Sequence, residues 1–167
     1  MSTSSYLSDR INNLSESATL KMTKLGRELA AKGVNVISLS VGEPDFNTPD
    51  HVKDAAKKAL DENWTRYSPV PGYPELRQAI VNKLKTENNL DYDISQIVVS
   101  TGAKQSLSNV ILTLINPGDE VIIPTPYWVS YSEMVVLAEG KSVFINTEID
   151  NNFKITPAQL EAAITPK

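Results

Sequence analysis

The stretch after residue 96 carries the first pattern in the sequence that could bind an anion. An unbroken β-branched run at 97–99 predicts a strand, and Ser100-Thr101-Gly102-Ala103-Lys104 leads from it into a helical pattern. Because the first N–H groups of a helix have no partner within the helix, such a junction can bind a phosphate or a carboxylate. A single glycine at such a turn is also common as chain geometry alone. Neither a Walker motif nor a GxGxxG motif accompanies it.

A second pattern follows the apolar run at 121–123, where Pro124-Thr125-Pro126-Tyr127-Trp128 comes next. Ligands of open parallel sheets bind at the carboxyl ends of the strands, which is where this segment is expected. Tyr127 and Trp128 could present flat faces to a planar ring, or could both pack in the core. Taken together, an anion site and an aromatic wall on consecutive strands suit a planar heterocycle that carries a phosphate.

The surrounding pattern predicts an α/β fold in which strands alternate with helices, so the sheet should be mainly parallel. Continuous rather than alternating apolar runs indicate strands buried on both faces. Two Thr-Pro pairs predict helix starts, with the threonine as the N-terminal cap and the proline at the first helical position. Three prolines predict a loop at 66–74. The predicted helices are 14–32, with Gly33 as its cap, one from Thr48-Pro49, 76–84, 103–114, 128–138 and one from Thr156-Pro157; the predicted strands are 97–99, 121–123 and 142–149.

Composition narrows the function further. The 167 residues include no cysteine, which excludes disulfides and thiolate metal sites, and one histidine, which argues against a histidine metal cluster. A net charge of −4 gives no electrostatic reason to expect nucleic acid as a partner. No apolar run approaches the length of a membrane span, and the N-terminus lacks a secretory signal pattern. We therefore expect a cytoplasmic protein with no metal, nucleic-acid or membrane partner.

Five segments of the sequence resemble the class I pyridoxal-phosphate aminotransferases, with the bacterial aspartate aminotransferase branch as the nearest likeness. The resemblance runs from about residue 14 to the end, in the order and spacing of the family. It implies the large domain of the fold type I pyridoxal-phosphate enzymes, pyridoxal 5′-phosphate as cofactor, and amino acids and 2-oxo acids as substrates. The segments are 39–46 (LSVGEPDF), 67–77 (YSPVPGYPELR), 101–105 (TGAKQ), 117–121 (PGDEV) and 124–131 (PTPYWVSY).

The resemblance also implies roles for individual residues. Gly102, Ala103 and Lys104 match the turn that holds the cofactor phosphate, and Trp128 matches the aromatic residue that stacks on the pyridine ring. Lys104 also matches a position that contacts the distal carboxylate of a dicarboxylic substrate; its alternative is a solvated charge.

Two further roles come from the loops. Gly42 matches the glycine that contacts the substrate's α-carboxylate. Tyr67 matches the tyrosine that reaches the cofactor phosphate of a neighbouring subunit, which implies a homodimer with shared active sites.

Other polar residues are expected to be structural. Glu43 and Asp45 should brace their loop, and His51 should lie on the surface of a helix. Arg66 and Arg77 flank the tyrosine loop and are expected to make ordinary surface or dimer contacts.

Several parts of the family's machinery have no match here, above all the Schiff-base lysine in its Ser-Lys context, so we expect no catalytic residue in this chain. We expect an N-terminal arm at 1–13, a helix and substrate loop at 14–47, and an incomplete cofactor domain at 48–167 of a longer enzyme, inactive alone. The alternatives are another fold type I pyridoxal-phosphate enzyme, either a lyase or a different aminotransferase, and a non-catalytic fragment that binds phosphate-bearing ligands. Arginines that the family carries beyond the region matched here would distinguish the alternative enzymes from one another. The reading frame after Lys167 would test whether the chain is a separate, non-catalytic fragment.

Overall fold

The structure, a computed structural model, describes residues 6–167. The chain divides into two compact units. The first consists of the described residues up to Val41 together with Ala103–Lys167, and the second is Gly42–Gly102. Residues 1–5 of the predicted arm lie outside the described residues, and the predicted boundaries after 13 and 47 stay predictions.

The first unit is built around two parallel strands, β1 (Glu120–Thr125) and β2 (Lys141–Asn146), which pair in the register Glu120↔Lys141 to Thr125↔Asn146. Helix α6 (Ser130–Leu137) connects them and packs against both strands. Strand, crossover helix and parallel strand form one βαβ unit, the arrangement that the alternating pattern predicts. The α/β fold class is therefore confirmed.

Burial in this unit centres on the contact between the strands and α6. Val135 is fully buried, and Ile123, Met134, Ala138 and Ile145 are buried around it. The expectation of strands buried on both faces is wrong for this chain, because Phe144 in β2 is 48% exposed. With two strands and one crossover helix, one side of the ladder remains open to solvent.

Four further helices complete the first unit. Helix α1 packs against α6, where Arg10 and Glu139 also form an ion pair at 3.6 Å. Helix α5 packs against α6, and α7 packs against β2. The short arm predicted at the N-terminus thus contains a helix that contacts the βαβ unit. The four are α1 (Asp9–Asn12), α2 (Ala18–Ala31), α5 (Ala103–Leu114) and α7 (Pro157–Ala163).

The second unit contains α3 (Asp50–Asp61), α4 (Pro74–Asn88) and a 3-10 turn at Ile94–Gln96 that contacts α4. The residues between the two helices form a loop, as the prolines predict. The predicted strand at 97–99 is wrong: the segment runs extended but belongs to no strand ladder in the described part of the chain. β-branched residues favour the extended conformation, but a strand also requires a neighbour with which to pair.

Helix starts depend on which group caps them. Helix α2 begins at Ala18 rather than near residue 14, since the hydroxyl of Ser17 accepts a hydrogen bond from Leu20 N at 3.4 Å. Helix α3 follows Pro49 without a side-chain cap, so the predicted Thr48 cap is wrong. At α7 the prediction is confirmed, and Thr156 and Gln159 form a complete capping box. Among the described residues, no helix is both long and apolar enough to cross a membrane.

Two glycines of the first unit should respond in opposite ways to alanine. A Cβ at Gly140 would lie 2.8 Å from Ile115 Cγ2 and 3.1 Å from Val135 Cγ1, so Gly140→Ala should lower the free energy of unfolding by about 1–3 kcal/mol. In the interior of α2, a Cβ at Gly26 would meet only Val36 Cγ1 at 4.0 Å. Gly26→Ala should therefore raise that free energy by roughly 0.5–1 kcal/mol. Urea denaturation of both variants measures the two values, and equal changes would contradict the packing described here.

Candidate functional site

The predicted anion turn spans the end of the second unit and the start of the first. Gly102 ends the second unit with φ +88°, a conformation that side chains rarely adopt, and its N–H donates to Ser100 O at 2.8 Å. Ala103 and Lys104 open α5 in the first unit. The glycine therefore has a backbone reason to be at this position, whatever the turn binds.

Lys104 and Trp128 come together in the first unit. The Lys104 ammonium nitrogen lies 5.3 Å from the centroid of the Trp128 ring, within the range of a cation–π interaction. The indole is 47% exposed, and Lys104 is also exposed. A positive charge thus stands beside an accessible aromatic surface at the start of a helix. These are the groups that an anionic, planar ligand requires.

Tyr127 and Trp128 are neighbours in sequence but have different environments. The Tyr127 ring stacks on Phe144 with centroids 5.2 Å apart, and its hydroxyl lies 3.3 Å from Ser132 Oγ. Neither ring is buried in the core: Tyr127 packs against β2 through the half-exposed Phe144, whereas Trp128 keeps an open face. Both line a cavity of about 440 Å³ at the carboxyl end of β1, together with Ile123, Pro124, Pro126 and Tyr131.

Gly42 and Tyr67 lie in the second unit, as does Gly102. Gly42 is exposed in the loop that precedes α3. Tyr67 is fully exposed in the loop between α3 and α4. Their assignments to the α-carboxylate and to a neighbouring subunit's cofactor phosphate stay predictions.

Arg77 is the residue whose environment differs most from the sequence expectation. Rather than lying free on the surface, it is half-buried, and its Nε donates to Ile97 O at 2.9 Å. Its Nη2 also donates to Ile94 O. The sequence does signal the 3-10 turn to which Arg77 binds, through the capping pair Asp93 and Gln96. Nothing in the sequence indicates that Arg77 contacts this turn.

The carboxylate of Asp93 at this turn has a pKa below its usual range. The main cause is hydrogen bonding from Ser95, first from its side chain and then from its backbone N–H, which donates to Asp93 Oδ1 at 2.8 Å. The charge of Arg77 lowers the pKa further. A hydrogen bond to the ionised form stabilises that form. The Asp93 carboxyl is therefore ionised at neutral pH, close to the Arg77 guanidinium.

Other polar residues singled out from sequence have ordinary positions. His51 is exposed in the first turn of α3, and Glu43, Asp45 and Arg66 are exposed in loops. Within the described residues, no group of three or more histidine, cysteine or carboxylate side chains is arranged to hold a metal ion.

Comparison with known proteins shows the family of the chain. The profile of the family "Aminotransferase class I and II" matches residues 34–167. The chain belongs to this aminotransferase family.

Relatives in the family are close in both sequence and structure. The aspartate/prephenate aminotransferases of Cereibacter sphaeroides and Nitrosomonas europaea are each 52% identical to it, over 97% and 96% of the chain. The aspartate aminotransferase of Rhizobium meliloti superposes with a TM-score of 0.90 at 46% identity, over 96% of this chain and 40% of that one. The Thermus thermophilus enzyme with maleate superposes with a TM-score of 0.89 at 43% identity, over 96% and 42%.

The two curated relatives are much longer than the matched region. The chain spans 40% of the Cereibacter sphaeroides protein and 41% of the Nitrosomonas europaea protein. The family resemblance seen in the five sequence segments is confirmed, and with it the fold. Family membership also implies dependence on pyridoxal phosphate, and the exposed indole, the ammonium and the start of α5 fit that group.

Proposed function

We propose that the protein to which this chain belongs transfers an amino group between aspartate, or a similar dicarboxylic amino acid, and a 2-oxo acid. The observation that carries the proposal is the Lys104 ammonium beside the open face of Trp128. The Trp128 ring is complementary to a planar cofactor, and the Lys104 ammonium is complementary to a carboxylate of the substrate. The names of the relatives point to the same pair of substrates, because they pair aspartate with prephenate.

In this proposal the chain's own residues bind and orient. The turn formed by Gly102, Ala103 and Lys104 holds the cofactor phosphate, where the positive end of the α5 dipole favours an anion. The donors are the amides of Ala103 and Lys104, because the Gly102 N–H donates to Ser100 O. The Trp128 indole stacks on the ring and limits its tilt. Pyridoxal phosphate, when bound, supplies the electron sink for the reaction at the substrate's α-carbon. We assign no proton-transferring residue to this chain.

The same proposal gives Lys104 a part in substrate choice. Aspartate and prephenate each carry a carboxylate away from the reacting carbon, and the Thermus thermophilus structure contains maleate, which is a dicarboxylate. An ammonium held against an aromatic face keeps its charge available to such a group, because the ring offers no competing anion. Gly42 is proposed to contact the α-carboxylate through its backbone.

We also propose a homodimer in which Tyr67 reaches the cofactor phosphate of the neighbouring subunit. The support within this chain is the complete exposure of the tyrosine ring. A large aromatic residue that finds no packing in its own chain is typical of surfaces that meet a partner.

Replacing Trp128 should weaken the retention of the cofactor. Trp128→Ala removes the stacking face and should raise the dissociation constant of pyridoxal phosphate about fivefold or more, with slower turnover, since stacking contributes roughly 1 kcal/mol beyond area burial. Trp64→Ala is the matched control, because Trp64 is 49% exposed and packs edge-on against Tyr73 in the second unit. Absorbance titration of the apoenzyme measures both, and unchanged retention in Trp128→Ala would refute the stacking role.

Replacing Lys104 should change specificity rather than general activity. Lys104→Met keeps the length of the side chain but loses the charge, so kcat/KM for aspartate should fall about 10- to 100-fold, as for a lost charged hydrogen bond. The value for alanine should change far less. Lys154→Met, at an exposed position in the same unit, serves as control. Equal losses for aspartate and alanine would leave Lys104 without a role in substrate choice.

The dimer proposal predicts that Tyr67 contributes to cofactor retention but not to assembly of the dimer. Tyr67→Phe should weaken pyridoxal phosphate retention severalfold, because one hydrogen bond to the phosphate is lost. Sedimentation velocity should show a dimer for wild type and variant alike. A monomeric protein with full activity would contradict the shared site.

A further inference from the structure

The segment from Ile97 to Gly102 is held in the second unit by side-chain and loop contacts. Ile97 has the dihedral angles of a strand residue, yet the segment pairs with no strand within the described residues. Ile97 is nevertheless buried, so the start of the segment is fixed in place. The contacts that fix it come from the loop before α4 and from the first turn of α4.

Arg77 makes the most directional of these contacts. Its guanidinium donates through two different nitrogens, to the carbonyl of Ile97 and to that of Ile94. The planar fork of an arginine can serve two acceptors at once, whereas a lysine ammonium on a flexible stem cannot reproduce that geometry. Arg77 thereby joins the end of the 3-10 turn to the beginning of the extended segment.

A second pair of contacts holds the same segment two residues further on. The N–H of Val99 donates to Pro71 O at 2.9 Å. Gly72, with φ +101°, lies so close that a Cβ there would come within 2.7 Å of Val99 Cγ2. A side chain at position 72 would push the segment away, so the glycine allows the loop and the segment to touch.

These contacts determine where the turn at Ser100–Gly102 begins. Gly102 lies only three positions after Val99, and even a fully extended chain advances about 3.3 Å per residue. A shift of the segment at Ile97 or Val99 is therefore transmitted to the amides of the turn with little slack. Phosphate binding by backbone amides depends on donor positions, so a small displacement costs affinity.

We propose that Arg77 is a positioning residue that fixes the Ser100–Gly102 turn for the phosphate of the cofactor. The inference rests on the proposed function, because it takes the amides that directly follow this turn, those of Ala103 and Lys104, to hold the phosphate. Arg77 does not touch the cofactor in this role; it acts through the backbone carbonyls of Ile94 and Ile97.

The test compares two probes, pyridoxal phosphate and pyridoxal, on the apoenzyme that contains this chain. The change in the ratio of their dissociation constants between wild type and a variant reports the contribution of the phosphate, since the ring is shared and the internal hemiacetal that free pyridoxal forms is the same in every titration. Arg77→Met should reduce this phosphate preference about tenfold or more, while the dissociation constant of pyridoxal changes less than about twofold. Arg77→Lys, which keeps the charge and one donor direction, should lie between Arg77→Met and wild type. The control is Arg66→Met, at an exposed arginine before the same loop.

Each outcome has a distinct meaning. A melting temperature lowered in Arg77→Met with an unchanged preference for the phosphate would overturn the proposal and leave Arg77 purely structural. If Arg77→Met does not fold, Arg77→Lys decides in the same way, and a wild-type preference in that variant overturns the proposal. If the wild-type protein itself does not prefer pyridoxal phosphate over pyridoxal, the proposed function fails, independently of Arg77.

Discussion

The parallel pairing of β1 with β2 beneath α6 is the constraint on which the first unit depends. A parallel pair requires a crossover, and here the crossover helix supplies the fully buried Val135 and the buried Met134, while Ile123 and Ile145 come from the strands. The same geometry places the residues after Thr125 at the carboxyl edge of the ladder. Trp128 is positioned by that edge, and Lys104 reaches its ring from the start of α5, the helix that packs on α6.

Much of this arrangement follows from the sequence, because it depends on local signals. Helical spacing located α2, α4, α5 and α6, and the Thr156-Pro157 pair located α7 through its capping box. A continuous β-branched run located β1, and β2 overlaps the strand expected at 142–149. The strand expected at 97–99 shows the limit of this reasoning: the run has the right residues, but pairing depends on a neighbour that local pattern does not describe. The exposure of Phe144 was not predicted for the same reason, since burial of a strand residue depends on which other elements cover the sheet.

The candidate site likewise contains residues that the sequence predicted and contacts that only the tertiary structure determines. Motif resemblance selected Gly102, Lys104 and Trp128, and local reasoning left open whether Tyr127 and Trp128 would both be buried. The tertiary structure separates them, through the stacking of Tyr127 on Phe144. Arg77 was assigned an ordinary contact because its acceptors are backbone carbonyls 17 and 20 residues away, and carbonyls leave no signature in a sequence. The roles of Gly42 and Tyr67 rest on resemblance, with Tyr67's exposure as the one structural support.

The divergence of Tyr127 and Trp128 has a consequence for how such a pocket can change. One peptide unit separates a ring that anchors the chain to β2 from a ring that faces solvent. Replacement at the outer ring alters the chemistry offered to a ligand without loosening the inner stack, since the two make different contacts. Adaptation to a new ligand can therefore proceed at position 128 while position 127 preserves the framework, a separation of tasks between adjacent residues.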